Sequence, residues 1–308
     1  MDFTPDESQQ AVASLAAEVL TAADPWIQLA KAGLLSLGVM DTATLLTEIG
    51  RRAPELAMKA LATVMTGALP VSRWGSDQLK EELLPAVSSG EMVLTAAIRE
   101  APWANEASRI LVPADDGVAL VDPTDIAMTP IPTSAGYPSF LVRLAQAPAN
   151  TLGGPECARD LEHLAVAGAC ALIDGAVAGA LALTRDHVAT RRQFGRPLAE
   201  FQAVSQQIAD VYIASRTMHL ATLSACWRLD EGRDPGADLS VAGYWCAEQA
   251  SQAVRHCHHL HGGLGMDVTY PLHRFSALVT DLTRYLGGAE YRLERTVLDG
   301  TVLEGHVH

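Results

Sequence analysis

The chain has 308 residues, 49% of them hydrophobic and only 5% aromatic, enough for one large domain or two to three small ones. Ala and Leu dominate the apolar set and are strong helix formers, so a mainly α protein is expected. The formal net charge of −14 repels phosphate backbones and anionic lipid, which argues against a nucleic-acid or membrane partner, while a local arginine patch could still hold an anionic cofactor.

The opening stretch MDFTPDESQQ is acidic and polar, unlike a secretory signal, and no uninterrupted apolar run reaches the 18–20 residues of a membrane span. Apolar spacing predicts helices over Ala11–Leu20, around Trp26–Leu35, over Thr42–Gly50 and over Ala53–Leu69. Ser76 and Asp77 cap a short helix from Gln78 to Pro85. This defines an N-terminal helical domain, residues 1–92. From Met92 the pattern becomes β-like: Met92–Ile98, Arg109–Val112, Val118–Val121 and Phe140–Leu144 are short runs separated by Pro, Gly, Asp and Ser. A small β domain over 93–154 follows, too small for a robust core of its own. After Gly153-Gly154-Pro155 the helical period returns, with helices predicted at about 158–190, 199–231, 236–260 and 275–300 and a frayed LEGHVH ending. Four long helices with short connections read as an antiparallel bundle, the third domain, 155–308. The five widely spaced cysteines read as reduced, buried residues of a cytoplasmic protein.

Two segments carry chemistry. In Thr190-Arg191-Arg192-Gln193-Phe194-Gly195-Arg196-Pro197-Leu198, three arginines surround a Gly-Pro break between long helices. Guanidinium groups beside a helix N-terminus can clamp a pyrophosphate and Phe194 can face a flat ring; an ordinary interhelical turn with solvated arginines has the same sequence. The second segment, His259-Leu260-His261-Gly262-Gly263-Leu264-Gly265, has glycines that allow close backbone approach. His256, His258, His259 and His261 lack a partner set at zinc spacing and fit helix C-cap roles better than metal ligation, so no metal is expected.

Together with WIQLAKAGLLSLGV, TEIGRR, WGSDQLKEELLPAVSSGEMVLTAA, RRQFGRPLAEFQAVSQQIADVY and LHGGLGMDVTYPLHR, these segments resemble the acyl-CoA dehydrogenase family along nearly the whole chain. The resemblance implies an N-terminal helical domain, a middle β-barrel, here reduced, and a C-terminal four-helix bundle. It implies FAD bound across a subunit interface, with Arg191, Gln193, Phe194, Gly195 and Gln202, and the backbone from His259 through Leu260 to Gly262 and Gly263, on the pyrophosphate and adenosine side.

The same resemblance shows what this chain lacks. The family base is a glutamate in a Tyr-Glu-Gly-Thr stretch; here the aligned residues are Tyr285-Leu286-Gly287-Gly288, so Leu286 stands where the base belongs and cannot take a proton. Ala277-Leu278 replace an Arg-Asp pair, and Ile98-Arg99-Glu100-Ala101-Pro102 replaces a Thr-Glu-Pro turn. No Trp-Ile-Thr-like strand occurs in 105–150, and Trp103 reads as a core or interface anchor. Glu162 is the one relocated-base candidate, about a turn out of register with members that carry the base there. What the resemblance then implies is the reduced subunit of a heteromer, as in actinobacterial α2β2 dehydrogenases of steroid-derived CoA thioesters. A full-length partner would supply the glutamate, and an electron-transfer acceptor would reoxidise the flavin. A self-sufficient homo-oligomer using Glu162 or another relocated carboxylate, and a non-catalytic scaffold, are the competing expectations.

Overall fold

The computed structural model describes residues 3–114, 116–144 and 151–298. The N-terminal helices are α1 (Glu7–Val19), α2 (Pro25–Lys31), α3 (Val39–Arg52), α4 (Ala57–Ala60), α5 (Leu69–Trp74) and α6 (Asp77–Ser88). Asp6 caps α1 in a capping box with Gln9, and Ser76 caps α6 by accepting from the Leu79 N–H. Between α4 and α5 the chain does not break, as the predicted Ala53–Leu69 helix requires. Leu61–Ala68 instead widens into a fully buried π-helix.

The middle segment forms β1 (Val93–Ala96), β2 (Ala101–Pro102), β3 (Ala107–Ala114), β4 (Gly117–Val121), β5 (Ile126–Ile131), β6 (Ser139–Leu144) and β7 (Thr151–Gly153). These make two open sheets, ordered β1-β3-β4-β7 and β2-β6-β5, so the expected reduced barrel is not closed among the described residues. The segment leans on the helices: Leu94, Leu111, Val118 and Leu152 share a core with Val71, Leu83 and Leu161.

Helix α7 (Pro155–Thr190) is the axis of the molecule, packed on α8 (Gln202–Asp230), α9 (Gly236–His261) and α10 (Leu272–Leu286). It is long and apolar enough to cross a membrane, which the search for uninterrupted apolar runs did not register. In the fold 89% of its most apolar window is buried within the protein, so it is a core helix. Helix α3 crosses α7 at backbone contact. A Cβ on Gly175 would collide with the Thr47 carbonyl oxygen, and one on Gly50 with that of Leu172. All five cysteines are free and buried.

The expected single helix over 275–300 is corrected. Gly287 (φ 91°) and Gly288 (φ 83°) adopt left-handed backbone, which ends α10 at Leu286 and starts α11 (Gly288–Leu298) in a new direction. The bundle therefore has a sharp corner where one continuous helix was expected. The predicted end at residue 300 and the LEGHVH tail lie outside the described residues.

Candidate functional site

The arginine loop joins α7 to α8 through a two-residue hairpin, β8 (Arg192–Gln193) and β9 (Arg196–Pro197). Phe194 (φ 51°) and Gly195 (φ 82°) form its tip, the left-handed pair such a turn requires. Left-handed backbone is rare for a bulky residue, and the Phe194 side chain is 92% exposed. The Arg192 guanidinium donates to the Gly195 carbonyl, and Arg196 stacks on Phe201 at 4.0 Å, so both arginines brace the hairpin. Arg191 is different. Its backbone is fixed by N–H donation to His187 O (2.8 Å) and by accepting from Leu198 N (2.9 Å), while its side chain is exposed and ion-paired to no described carboxylate. Gln202 opens α8 and is exposed, as is Gln193 on the hairpin.

The glycine segment sits beside this loop, because His187 stacks on His261 with ring centroids 4.5 Å apart. His261 bonds Cys257 O (2.8 Å) and the Tyr270 hydroxyl (3.0 Å), and His258 bridges Gly265 O and Ser276. These histidines pin the end of α9 to the following turn. Burial lowers the pKa of both stacked rings, with the Arg191 charge adding to the effect at His187. Gly262 (φ 58°) and Gly263 follow with open space where a side chain would be. His259 is exposed, whereas the Leu260 side chain is buried, so Leu260 can offer a ligand its backbone alone. The fold thus brings both predicted segments to one corner, with an unpaired cation, an exposed ring and an accessible glycine backbone.

Leu286 and Glu162 lie elsewhere. Leu286 is 0% exposed at the end of α10, among core residues, and offers no group to a substrate. Glu162, in the second turn of α7, lines a cavity of about 210 Å³ with Arg99, Tyr285, Tyr291 and Arg292. Ligand pockets for acyl-sized molecules occupy roughly 300–1,000 Å³ and are mostly apolar; this cavity is smaller and carries two guanidinium groups. A larger groove, about 600 Å³, surrounds the Asp174–His219 pair between α7 and α8 and shares no lining residue with this cavity.

A buried polar network next to Leu286 was not anticipated from sequence. Asp281, 0% exposed on α10, accepts from the backbone N–H groups of Ser134 (2.9 Å) and Ala135 (2.8 Å). Arg284 bonds Glu100 (3.0 Å) and Pro132 O (3.1 Å), and Tyr137 donates to Glu100 (2.9 Å). Burial and the Glu100 carboxylate push the Tyr137 phenol upward, so it stays a donor. The network fastens the 132–137 turn onto α10. Its sequence signal was the i, i+3 pair Asp281 and Arg284 on an otherwise apolar helix. Trp103, expected as an anchor, is partly buried against the main core with Lys59 5.0 Å from its ring.

Comparison with known proteins agrees with this architecture. The acyl-CoA dehydrogenase C-terminal domain family matches residues 160–298, and the N-terminal domain family matches 7–91. The chain is 40% identical to acyl-CoA dehydrogenase FadE28 of Mycobacterium tuberculosis over an alignment of 334 residues, covering 96% of this chain and 97% of that protein. Among solved structures, the ChsE4–ChsE5 complex from Mycobacterium tuberculosis superposes with a TM-score of 0.88 at 26% identity, covering 98% of this chain and 99% of that one. The Tcur3481–Tcur3483 steroid ACAD variant gives 0.87 at 27% identity, covering 97% and 98%. The chain belongs to the acyl-CoA dehydrogenase family, a family of FAD-dependent oxidoreductases.

Proposed function

We propose that this chain is the reduced subunit of a heteromeric acyl-CoA dehydrogenase and serves the FAD of a full-length partner. The observation that carries this reading is an asymmetry within one chain. The corner suited to the cofactor's pyrophosphate and adenosine is open, with Arg191 unpaired and Phe194 exposed, while the corner that should present a base ends in the buried Leu286. The residues fit the tail of FAD and do not fit its ring: Arg99 lies against Gly287 and Tyr291 in the space beside that corner.

In this reading Arg191 neutralises the pyrophosphate, Phe194 lines the cofactor, and the His259–Gly263 backbone and Gln202 face the adenosine. FAD held there would supply the hydride acceptor for α,β-dehydrogenation of an acyl-CoA thioester. The partner's glutamate takes the α-proton, since leucine offers no acceptor. An external electron-transfer protein would reoxidise the flavin. Two similar structures support the heteromer and the substrate class: the ChsE4–ChsE5 complex and the Tcur3481–Tcur3483 steroid ACAD. A bulky polycyclic acyl group, a tetramer built from two such pairs, and a cytoplasmic location complete the proposal.

Glu162 gives a second reading, a homo-oligomer with its own base, some support, because it faces the cavity at the altered corner. One experiment separates the two. The chain purified alone should be colourless and inactive, and co-expression with a longer relative carrying Tyr-Glu-Gly-Thr should give flavin absorbance that bleaches with acyl-CoA. A yellow, substrate-bleached chain by itself would favour Glu162, and Glu162→Gln would then abolish the bleaching.

A further inference from the structure

Two guanidinium groups converge where the family keeps its carboxylate base. Arg292 is 8% exposed, and its Nε donates to the Leu286 carbonyl at 2.7 Å. Among the described residues nothing accepts from its two terminal nitrogens, and no carboxylate lies within ion-pair distance. The Arg99 guanidinium packs on the Tyr291 ring at 4.0 Å, and that of Arg292 lies 5.5 Å from the same ring centroid. Both side chains line the cavity of about 210 Å³, with Glu162 and Tyr285 on its other walls.

The charge of this cavity is unbalanced. Two arginines and one glutamate leave one net positive charge in a cavity whose deep wall is the buried Arg292 and whose mouth is the exposed Arg99. A buried cation is tolerated when a counter-charge and hydrogen-bond acceptors complete it. Burial lowers the Arg292 pKa and Arg99 repulsion adds to it, while Cys170, Tyr291 and Glu162 offset part of the effect. The Tyr285 phenol, raised by burial, stays protonated and can donate. A water molecule takes about 30 Å³ of liquid volume. The cavity therefore has room for a small anion and a few waters but not for an acyl-CoA.

We propose that this cavity binds a small monovalent carboxylate, held by the terminal nitrogens of Arg292 and covered by Arg99. A carboxylate matches a guanidinium edge with two parallel hydrogen bonds, which a halide cannot do. Its single charge closes the balance left by Glu162. Because Arg292 is also bonded to Leu286 O, an occupant would tie α11 to the end of α10 and stiffen the corner. The site stands whether or not a partner subunit supplies the base.

Acetate is the probe. The desalted full-length protein is titrated with sodium acetate against sodium chloride at constant ionic strength, following the melting midpoint and the heat of binding. A saturable, acetate-specific rise in midpoint is expected. Arg99→Gln, at an exposed position that leaves folding intact, should weaken acetate binding at least tenfold, and Glu162→Gln should tighten it by removing the competing carboxylate. The proposal is overturned if acetate acts no differently from chloride, or if Arg99→Gln leaves the affinity unchanged. It is equally overturned if the response appears only in Glu162→Gln, which would make Glu162 itself the counter-ion.

Discussion

Arg191→Ala separates cofactor affinity from folding. The guanidinium is exposed and pairs with no described carboxylate, and the two hydrogen bonds that fix residue 191 are made by its backbone. Alanine retains both. Surface substitutions of this kind change stability by about 0.5 kcal/mol or less, which for a protein of this size moves the melting midpoint by roughly 2 °C at most. A charge-assisted contact to a pyrophosphate oxygen, by contrast, is worth about 1.5–3 kcal/mol. At 1.4 kcal/mol per tenfold change, FAD should bind roughly 10- to 150-fold more weakly. The assay is the FAD dissociation constant of the complex with its full-length partner, read from flavin fluorescence at low and at moderate salt. The gap between wild type and variant should narrow as salt screens the exposed pair. Arg185→Ala is the control, since that arginine is already paired with Asp186. An unchanged dissociation constant in a folded Arg191→Ala complex would refute the assignment of the loop to the pyrophosphate.

Three further outcomes test the surrounding structure. Asp281→Ala removes a fully buried carboxylate that holds two backbone N–H groups and lies 3.4 Å from Arg284. Urea unfolding should show a loss of about 3–5 kcal/mol, with faster amide exchange at Ser134 and Ala135, and a loss under about 1 kcal/mol would mean the network is not a clamp. Gly175→Ala forces α7 away from Thr47 of α3 and should cost about 1–3 kcal/mol by overpacking; a wild-type melting midpoint would contradict the close crossing. His187 and His261 have pKa values held below the ordinary 6.5 by burial. The folded state therefore resists the proton that the unfolded chain accepts, so their contribution is complete above about pH 6.5 and declines as the pH falls below it. His187→Gln should flatten that decline between pH 6.5 and 5 in melting profiles, and a steeper decline in the variant would reverse the sign of the argument.

What the sequence revealed, and what it hid, follows from how local each signal is. Helical periodicity in α7, α8 and α9 is a property of neighbouring residues, and their predicted bounds fall within a few residues of the observed ones. The Arg191 loop was legible because Gly195 and Pro197 break an otherwise continuous pattern. Its proximity to Gly262 was not, since it depends on the tertiary stack of His187 on His261. The break at Gly287 was missed because apolar spacing continues across it. The two adjacent glycines were the available signal, and both have positive φ. Strands β5 and β7 escaped notice: β5 contains a proline on an edge position of its sheet, and β7 is three residues long. The Asp281–Arg284–Glu100 network joins residues up to 184 positions apart, and no window reads such a distance.

The two corners are built differently, and that contrast is what the proposed division of labour between subunits would require. At the corner beside Leu286, the leucine is packed into the core, Arg292 donates to its carbonyl, and Arg99 stacks on Tyr291. Asp281 and Arg284 have partners that fasten the 132–137 turn over α10. Meanwhile Phe194 adopts the left-handed backbone of its hairpin, a strain of about 1–3 kcal/mol, with its ring 92% exposed. A residue held out of the core at a cost to its own fold implies contact with something outside it. On the proposed reading, the closed corner and the open one would be complementary halves of one arrangement, with the chemistry on a partner and the cofactor's tail gripped by this chain.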